Sequence, residues 1–174
     1  MEKEEQKPVL ATLLLYGSPI LGSDIFQKAM DQKHHFKTTV GLHSIHVAAV
    51  SLILARQMEK IGVHINEKDL VQACLCHDLG IVGRFEGKFH SGHDCCCRHP
   101  KESVKEAKKL VPTISYKTEC IIARHMWPAT LLPPNSVEGY LITIADKFCG
   151  VEESAGIRRR KLLADSACLL PATN

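Results

Sequence analysis

Several histidine and aspartate residues of the chain have side chains that can bind a divalent cation. His77 and Asp78 are adjacent, and Gly80 follows two residues later. An imidazole nitrogen and a carboxylate oxygen on consecutive residues can converge on one ion if the helix that carries them ends there. Glycine favours such a turn of the chain, so this segment fits a metal-binding helix end, the alternative being a capped helix end with a surface aspartate.

Four further residues can complete such a site. Asp146 follows Ile144 and Ala145 in an apolar stretch, and burying a carboxylate without a partner is costly. A cation shared with histidines would satisfy that carboxylate. The histidines predicted to contribute are His43 within an apolar helix, His99 at a helix start and His125 at a helix end.

The helix that must position His43 is predicted over residues 38–61. Its apolar residues cover more than one face, which is typical of a helix at the centre of a fold. His43 and His46 lie three residues apart and therefore share a face. Asn66 is predicted to cap the next helix, which leads to the His-Asp pair.

The other elements are predicted from apolar periodicity and from helix start and stop residues. A short helix or strand over residues 9–15 is expected to break at the Gly-Ser-Pro of residues 17–19. Residues 79–98 contain four glycines and are expected to form a loop that covers the site. Further helices are predicted to start at residues 22–24, at 98–100 with Pro100 in the first turn, at Ser115, at Asn135 or Ser136, and at 157. No strand pattern is evident, so the predicted fold is all-α.

The composition predicts one soluble domain. A chain of 174 residues with 45% hydrophobic residues is long enough for one core and too short to favour two. The acidic start at residues 1–5 is unlike a secretory signal, and no apolar stretch approaches the roughly 18 residues that span a bilayer. The eight cysteines are therefore expected as reduced thiols in the cytoplasm.

Several other polar groups are interpreted as structural. The net charge of +3 gives no general argument for nucleic-acid binding, and the basic cluster at residues 158–161 is interpreted as a solvated helix face. The pair His34-His35 is likewise interpreted as solvated connecting chain. Cys95, Cys96 and Cys97 are consecutive and poorly spaced for one tetrahedral zinc ion, so they are expected to be small residues of a loop over the site.

Three short motifs occur in an order that is found in a known family. With them the chain resembles the HD superfamily of metal-dependent phosphohydrolases over about residues 38–150, close to its small single-domain bacterial members. The resemblance implies a helical bundle with a metal site between helices, in one domain over 1–174 with an N-terminal helical extension (1–37) and a C-terminal helix and tail (151–174). The motifs are His43-Ser44-x-x-Val47-Ala48, Cys76-His77-Asp78-Leu79-Gly80 and Ala145-Asp146-Lys147.

The resemblance also implies a ligand set for one or two ions. His99 and His125 match the positions that hold a second ion in two-metal members, with Asp78 bridging the pair. Ile81 stands where some of these members have lysine, and Met126 stands where cyclic-dinucleotide phosphodiesterases have a second histidine, so that branch is not favoured. The implied ligands of the first ion are His43, His77, Asp78 and Asp146.

Mixed imidazole and carboxylate ligands suit Fe, Mn, Zn, Co or Ni and do not choose among them. Such an ion lowers the pKa of a bound water and polarises a phosphoryl oxygen. We therefore hypothesise hydrolysis of a phosphate ester, a nucleotide or another small phosphomonoester, with Asp78 fixing the attacking water as well as binding metal. Candidate phosphate ligands next to the site elements are Arg84, Lys88, Arg98, Arg124 and Lys147, with Arg98 and Arg124 favoured because each adjoins a metal ligand.

Two other functions stay open at this point. Similar helical folds with this ligand set hold a two-iron centre that activates oxygen, and His99 and His125 are compatible with that class. A nucleotide-binding regulator would keep the fold without turnover. The expected partner is a small phosphorylated molecule, with no nucleic-acid polymer and no membrane; the sequence assigns no oligomeric state.

Overall fold

The chain folds into a bundle of α-helices. The computed structural model describes residues 3–34 and 38–155, and within these ranges there is no strand, only an isolated bridge between Lys33 and Thr39. The prediction of an all-α fold is confirmed. The helices are α1 (Lys3–Leu21), α2 (Asp24–Asp31), α3 (Val40–Lys60), α4 (Glu67–Cys76), α5 (Gly92–Leu110), α6 (Tyr116–Arg124) and α7 (Val137–Ser154), with two short 3-10 helices, η1 (Leu79–Ile81) and η2 (Arg84–Glu86).

Polar side chains determine where helices α2 to α7 begin. In each of the six, the capping side chain accepts a hydrogen bond from the backbone N–H three residues later. This bond satisfies one of the backbone donors that a helix start leaves unpaired. The caps are Ser23, Thr39, Asn66, Ser91, Ser115 and Ser136, so the predicted cap at Asn66 is confirmed and Ser136 is the correct one of two alternatives.

Helix α3 lies at the centre of the bundle, as its sequence predicts, and packs against α2, α4 and α7. By length and composition α3 could also cross a bilayer, but 67% of its most apolar window is buried inside the protein. A core helix of a globular domain has the same composition. The packing thus accounts for the apolar character of α3.

The predicted break at residues 17–19 is wrong, because α1 continues through them to Leu21. Gly17 instead lies where α1 approaches α4 closely. A Cβ atom at Gly17 would collide with the side chain of Leu75. This glycine allows close helix packing and does not turn the chain.

The predicted loop over 79–98 is also wrong. This segment contains η1 and η2. Helix α5 begins at Gly92, after its Ser91 cap and six residues before the predicted start, so Pro100 lies inside α5. Gly83 and Gly87 flank η2 with left-handed φ angles of 84° and 80°, a conformation that glycine adopts without strain. Cys95, Cys96 and Cys97 therefore lie on a helix. The basic cluster at 158–161 and the helix predicted from 157 lie outside the described residues.

Candidate metal centre

The six predicted metal ligands meet between five helices. His43 comes from the middle of α3, and Asp146 comes from α7. The other four are His77 and Asp78 directly after α4, His99 in α5 and His125 directly after α6. Five of the six are 4% exposed or less, and the side chain of Asp146 is 13% exposed.

Asp78 lies between two groups of imidazoles. Its Oδ1 atom is 3.2 Å from Nε2 of His99 and 3.5 Å from Nε2 of His125. Its Oδ2 atom is 3.5 Å from Nε2 of His77. Each oxygen of one carboxylate therefore faces a different side of the cluster.

Asp146 lies on the His77 side of this arrangement. Its Oδ1 atom is 3.0 Å from Nε2 of His43 and 3.7 Å from Nε2 of His77. The donor atoms of these three residues lie within 4.8 Å of one another, as do those of His77, Asp78 and His125. Two overlapping groups of donors thus share His77.

Backbone carbonyls orient three of the four imidazoles. Nδ1 of His77, His99 and His125 lies 2.7 to 2.8 Å from a carbonyl oxygen three or four residues earlier in the same helix. Because a carbonyl only accepts hydrogen bonds, Nδ1 carries the proton in each ring. The Nε2 lone pairs are therefore turned into the cluster, as in histidines that bind metal.

The Nε2 atoms that face into the cluster are arranged as a cation would require. The Nε2 atoms of His99 and His125 are only 3.1 Å apart, and two lone pairs at that distance repel unless a positive charge lies near both. Burial lowers the pKa of His125, and His77 and His99 lower it further, although contact with Asp78 opposes this. A proton on His125 is therefore unfavourable as the source of that positive charge. Nε2 of His77 is buried without a hydrogen-bond partner, which costs about 1–3 kcal/mol. Bound divalent ions would satisfy these three nitrogens.

The two carboxylates are ionised and ready to bind a cation. Burial raises the pKa of the Asp78 carboxyl, but the charge of His77 and contacts with His125 and His99 outweigh burial and hold that pKa well below its usual range. Asp146 behaves in the same way, because His43 and His77 hold its pKa well below the usual range despite burial. The cluster therefore contains two ionised carboxylates.

Glu153, which the sequence analysis missed, contacts Nδ1 of His43, the ring nitrogen that does not face Asp146. One carboxylate oxygen lies 2.8 Å from Nδ1 of His43, and the other lies 3.2 Å from Nδ1 of His46. Burial raises the pKa of Glu153, but the bonds from both histidines outweigh it and lower the pKa to about 2. The signal was present in the spacing, because Glu153 follows Asp146 by seven residues, or two helical turns, and so shares its face of α7.

We predict that replacing Glu153 weakens metal binding. A carboxylate that accepts Nδ1–H of a metal-binding histidine orients the ring, and its loss typically costs about 10–100-fold in metal affinity. Glu153→Ala should fall in this range, and Glu153→Gln should lose less because an amide oxygen still accepts one of the two bonds. Competition titration of Co²⁺ against a chelator measures the effect.

The matched control for this prediction is Glu106→Gln, which removes a carboxylate paired with Lys109 on the surface of α5. Exposed ion pairs of this kind contribute little, so Co²⁺ affinity should stay at the wild-type value. Equal Co²⁺ affinities for Glu153→Ala and wild type would contradict the orienting role of Glu153.

A cavity of about 700 Å³ opens beside the cluster. Asp78, His99 and Asp146 are exposed to it, so a molecule in the cavity could reach the candidate metal ligands. Its other walls include Cys95, Cys96 and Met126. Pockets for small ligands commonly have volumes of about 300–1,000 Å³, so the space suits a small molecule.

Two of the five predicted phosphate ligands line this cavity and three do not; of the three, Lys88 donates to the backbone carbonyls of Gly80 and Val82. Lys147 lines it and donates from Nζ to Oδ2 of Asp146 at 2.8 Å. Arg84 also lines it and donates to the backbone carbonyls of Lys33 and His34.

The two favoured arginines face elsewhere. Arg98 pairs with Asp94 at 3.1 Å on the exposed side of α5. Arg124 donates to the carbonyl of Pro133. Neither lines the cavity, because neighbouring residues of a helix point about 100° apart and each arginine adjoins an inward-facing histidine. The role of the five cationic residues as phosphate ligands stays a prediction.

The cysteines show no sign of a zinc site. Among the described residues, no cysteine belongs to a group of side chains that could hold an ion, and the seven described cysteines are free thiols. Cys95 and Cys96 line the cavity wall from the first turns of α5. This agrees with the expectation of small residues near the site, although they lie on a helix and not in a loop.

The prediction that His34 is solvated is wrong. Its side chain is 7% exposed, and its Nε2 atom is 3.4 Å from Oδ2 of Asp78. Its ring lies 4.8 Å from that of His43, centroid to centroid. His34 thus belongs to the cluster, whereas His35 lies outside the described residues.

Comparison with known families gives one match. The HD domain profile matches residues 40–150, a span that begins at the first residue of α3, ends within α7 and contains all six predicted metal ligands. HD domains are typically metal-dependent phosphohydrolases. Searches of curated proteins and of solved structures found no match. Since the matched span covers well over half of the chain, the chain belongs to the HD domain family.

Proposed function

We propose that this protein is a metal-dependent hydrolase of a small phosphomonoester, such as a nucleotide, in the cytoplasm. The observation that supports this most strongly is the position of Asp78, whose two oxygens face imidazoles on opposite sides. A bridging carboxylate of this kind suits a centre of two ions, which can clamp both the attacking and the leaving oxygen of a phosphoryl group.

The residues that would hold the metal divide into two sets. His43, His77, Asp146 and Oδ2 of Asp78 would hold one ion, and His99, His125 and Oδ1 of Asp78 would hold the other. The donor set suits Fe, Mn, Zn, Co or Ni. When bound, such an ion supplies a water of lowered pKa and polarises a phosphoryl oxygen.

The chain's own residues prepare the site for this chemistry. Asp78 is almost fully buried, and its carboxylate is ionised. Because it lines the cavity, one of its oxygens can hold an attacking water in place. Lys147 and Arg84 lie at the cavity wall and would have to exchange their present acceptors for phosphate oxygens. A cavity of about 700 Å³ suits a mononucleotide better than a polymer.

A panel assay tests the proposal. Phosphate release is measured from nucleoside monophosphates and other phosphomonoesters, with Mn²⁺, Co²⁺, Ni²⁺, Zn²⁺ or Fe²⁺ added to metal-free protein. We expect turnover of at least one substrate with at least one metal, and none after chelation. Oxygen consumption by the iron-loaded protein without phosphate release would support an oxygenase instead, and tight nucleotide binding without turnover would support a regulator.

A further inference from the structure

We propose that His34 is a further metal ligand, on the side of the cluster formed by His43, His77, Asp146 and Oδ2 of Asp78. His34 faces the same oxygen of Asp78 as His77 does, at 3.4 Å against 3.5 Å. Donor atoms of His34, His43 and Asp78 lie within 4.8 Å of one another. The inference rests on the metal centre of the proposed function and adds a residue to it.

The burial of His34 distinguishes it from a surface histidine near an acidic group. Its side chain is 7% exposed, and it lines the cavity beside Asp78 and Asp146. His64 and His90, which lie outside the cluster, are exposed. An imidazole is seldom turned into a buried cluster of carboxylates unless it has a partner there.

Hydrogen bonds between the described residues on either side of 35–37 place His34. Its backbone N–H donates to the carbonyl of Thr38 at 3.0 Å, and that of Val40 donates to the carbonyl of Gln32 at 3.0 Å. Lys33 and Thr39 form an antiparallel bridge between these bonds. The start of α3 therefore fixes the backbone that carries the imidazole.

A second set of bonds joins residues 32–34 to the segment that follows Asp78. The side chain of Gln32 donates to the carbonyl of Ile81 at 3.1 Å and accepts from N–H of Gly83 at 2.7 Å. Arg84 donates to the carbonyls of Lys33 and His34, each at 3.1 Å. The side chains of Gln32 and Arg84 thus hold His34 and Asp78 in register, which is how precise binding sites are supported.

The added imidazole would change which metal the site prefers. Without His34, the donors on this side are two nitrogens and two oxygens, and with it they are three nitrogens and two oxygens. Imidazole favours Co²⁺, Ni²⁺ and Zn²⁺ over Mn²⁺, which prefers oxygen ligands. His34 lies outside the matched HD domain span of 40–150, so this preference would belong to this chain and not to the family pattern.

Metal titration of His34→Ala tests the inference. Removing groups that only orient ligands already costs about 10–100-fold in affinity, so loss of a ligand should weaken Co²⁺ binding by about tenfold or more. Mn²⁺ binding should weaken less, and the visible absorption band of bound Co²⁺ should shift as its coordination changes. The control is His64→Ala, which removes an exposed imidazole between α3 and α4 and should leave both affinities and the band unchanged.

A second variant guards against misfolding. His34→Gln keeps a side chain of similar size in the buried position, and circular dichroism reports whether each variant is folded. Wild-type Co²⁺ affinity and an unchanged Co²⁺ band in a folded His34 variant would overturn the inference, with the panel assay unaffected. If metal binding depends on His34 but no substrate is hydrolysed, the proposed function is wrong and the inference holds. If the wild-type protein binds no ion, both are wrong.

Discussion

Asp78→Ala is expected to abolish phosphate release and to remove bound metal. The carboxylate of Asp78 faces imidazoles on both sides of the cluster, so its loss removes a ligand from both proposed ions. It also removes the group proposed to fix the attacking water. We expect a fall in kcat/KM of at least about a thousandfold, since loss of a single stabilising donor already costs 10²–10³ in rate.

The assay compares kcat/KM and bound metal per chain in wild type, Asp78→Ala and Asp78→Asn. The asparagine variant keeps the size of the side chain but lacks its charge, so it should lose activity while staying folded. Asp31→Ala, which removes an exposed carboxylate at the end of α2, is the control and should match wild type. Equal phosphate release by wild type and a folded Asp78 variant would contradict the assignment.

Gly80→Ala is expected to disturb the His99 side of the centre and to destabilise the fold. A Cβ atom at Gly80 would collide with the carbonyl oxygen of His99 and would lie 2.6 Å from the backbone nitrogen of Ser103. Both atoms belong to the backbone of α5, so relief requires α5 to move away from η1. That movement would carry His99 away from Asp78 and would break the bond from N–H of Gly80 to the Ser103 hydroxyl, now 2.9 Å long.

We expect Gly80→Ala to lower the free energy of unfolding by about 1–3 kcal/mol, the usual cost of overpacking, and to reduce the number of ions bound per chain. Thermal denaturation and metal analysis measure the two effects. Gly92→Ala is a matched control, because no atom lies within 4 Å of a Cβ at Gly92. A Gly80→Ala protein with wild-type stability and metal content would show that α5 does not depend on this close approach.

Four of the predicted metal ligands stand in local sequence signals that single them out. His43 and Asp146 interrupt apolar helices, and His77 and Asp78 end a helix whose Asn66 cap is evident from the sequence. A buried polar residue in an apolar helix needs a partner, and this requirement identifies it without knowledge of the fold. The helix caps were readable for a similar reason, since each one acts within three residues along the chain.

The residues that the sequence analysis missed depend on contacts between distant segments. The position of His34 beside Asp78 depends on hydrogen bonds made by Gln32 and Arg84, which come from two different elements. Nothing in the local sequence around His34 indicates these contacts. Gly17 was misjudged because a glycine that breaks a helix and a glycine that admits a neighbouring helix have the same local sequence signal.

X-ray diffraction from crystals soaked in Co²⁺ or Mn²⁺ tests the central claim, that these side chains converge to hold divalent ions. Data collected at the absorption edge of the metal locate it independently of the protein atoms. The account predicts an anomalous difference peak among His43, His77, Asp78 and Asp146, within about 2.0–2.3 Å of their donor atoms, and a second peak beside His99 and His125. Absence of any peak in this cluster while the metal binds elsewhere would contradict it.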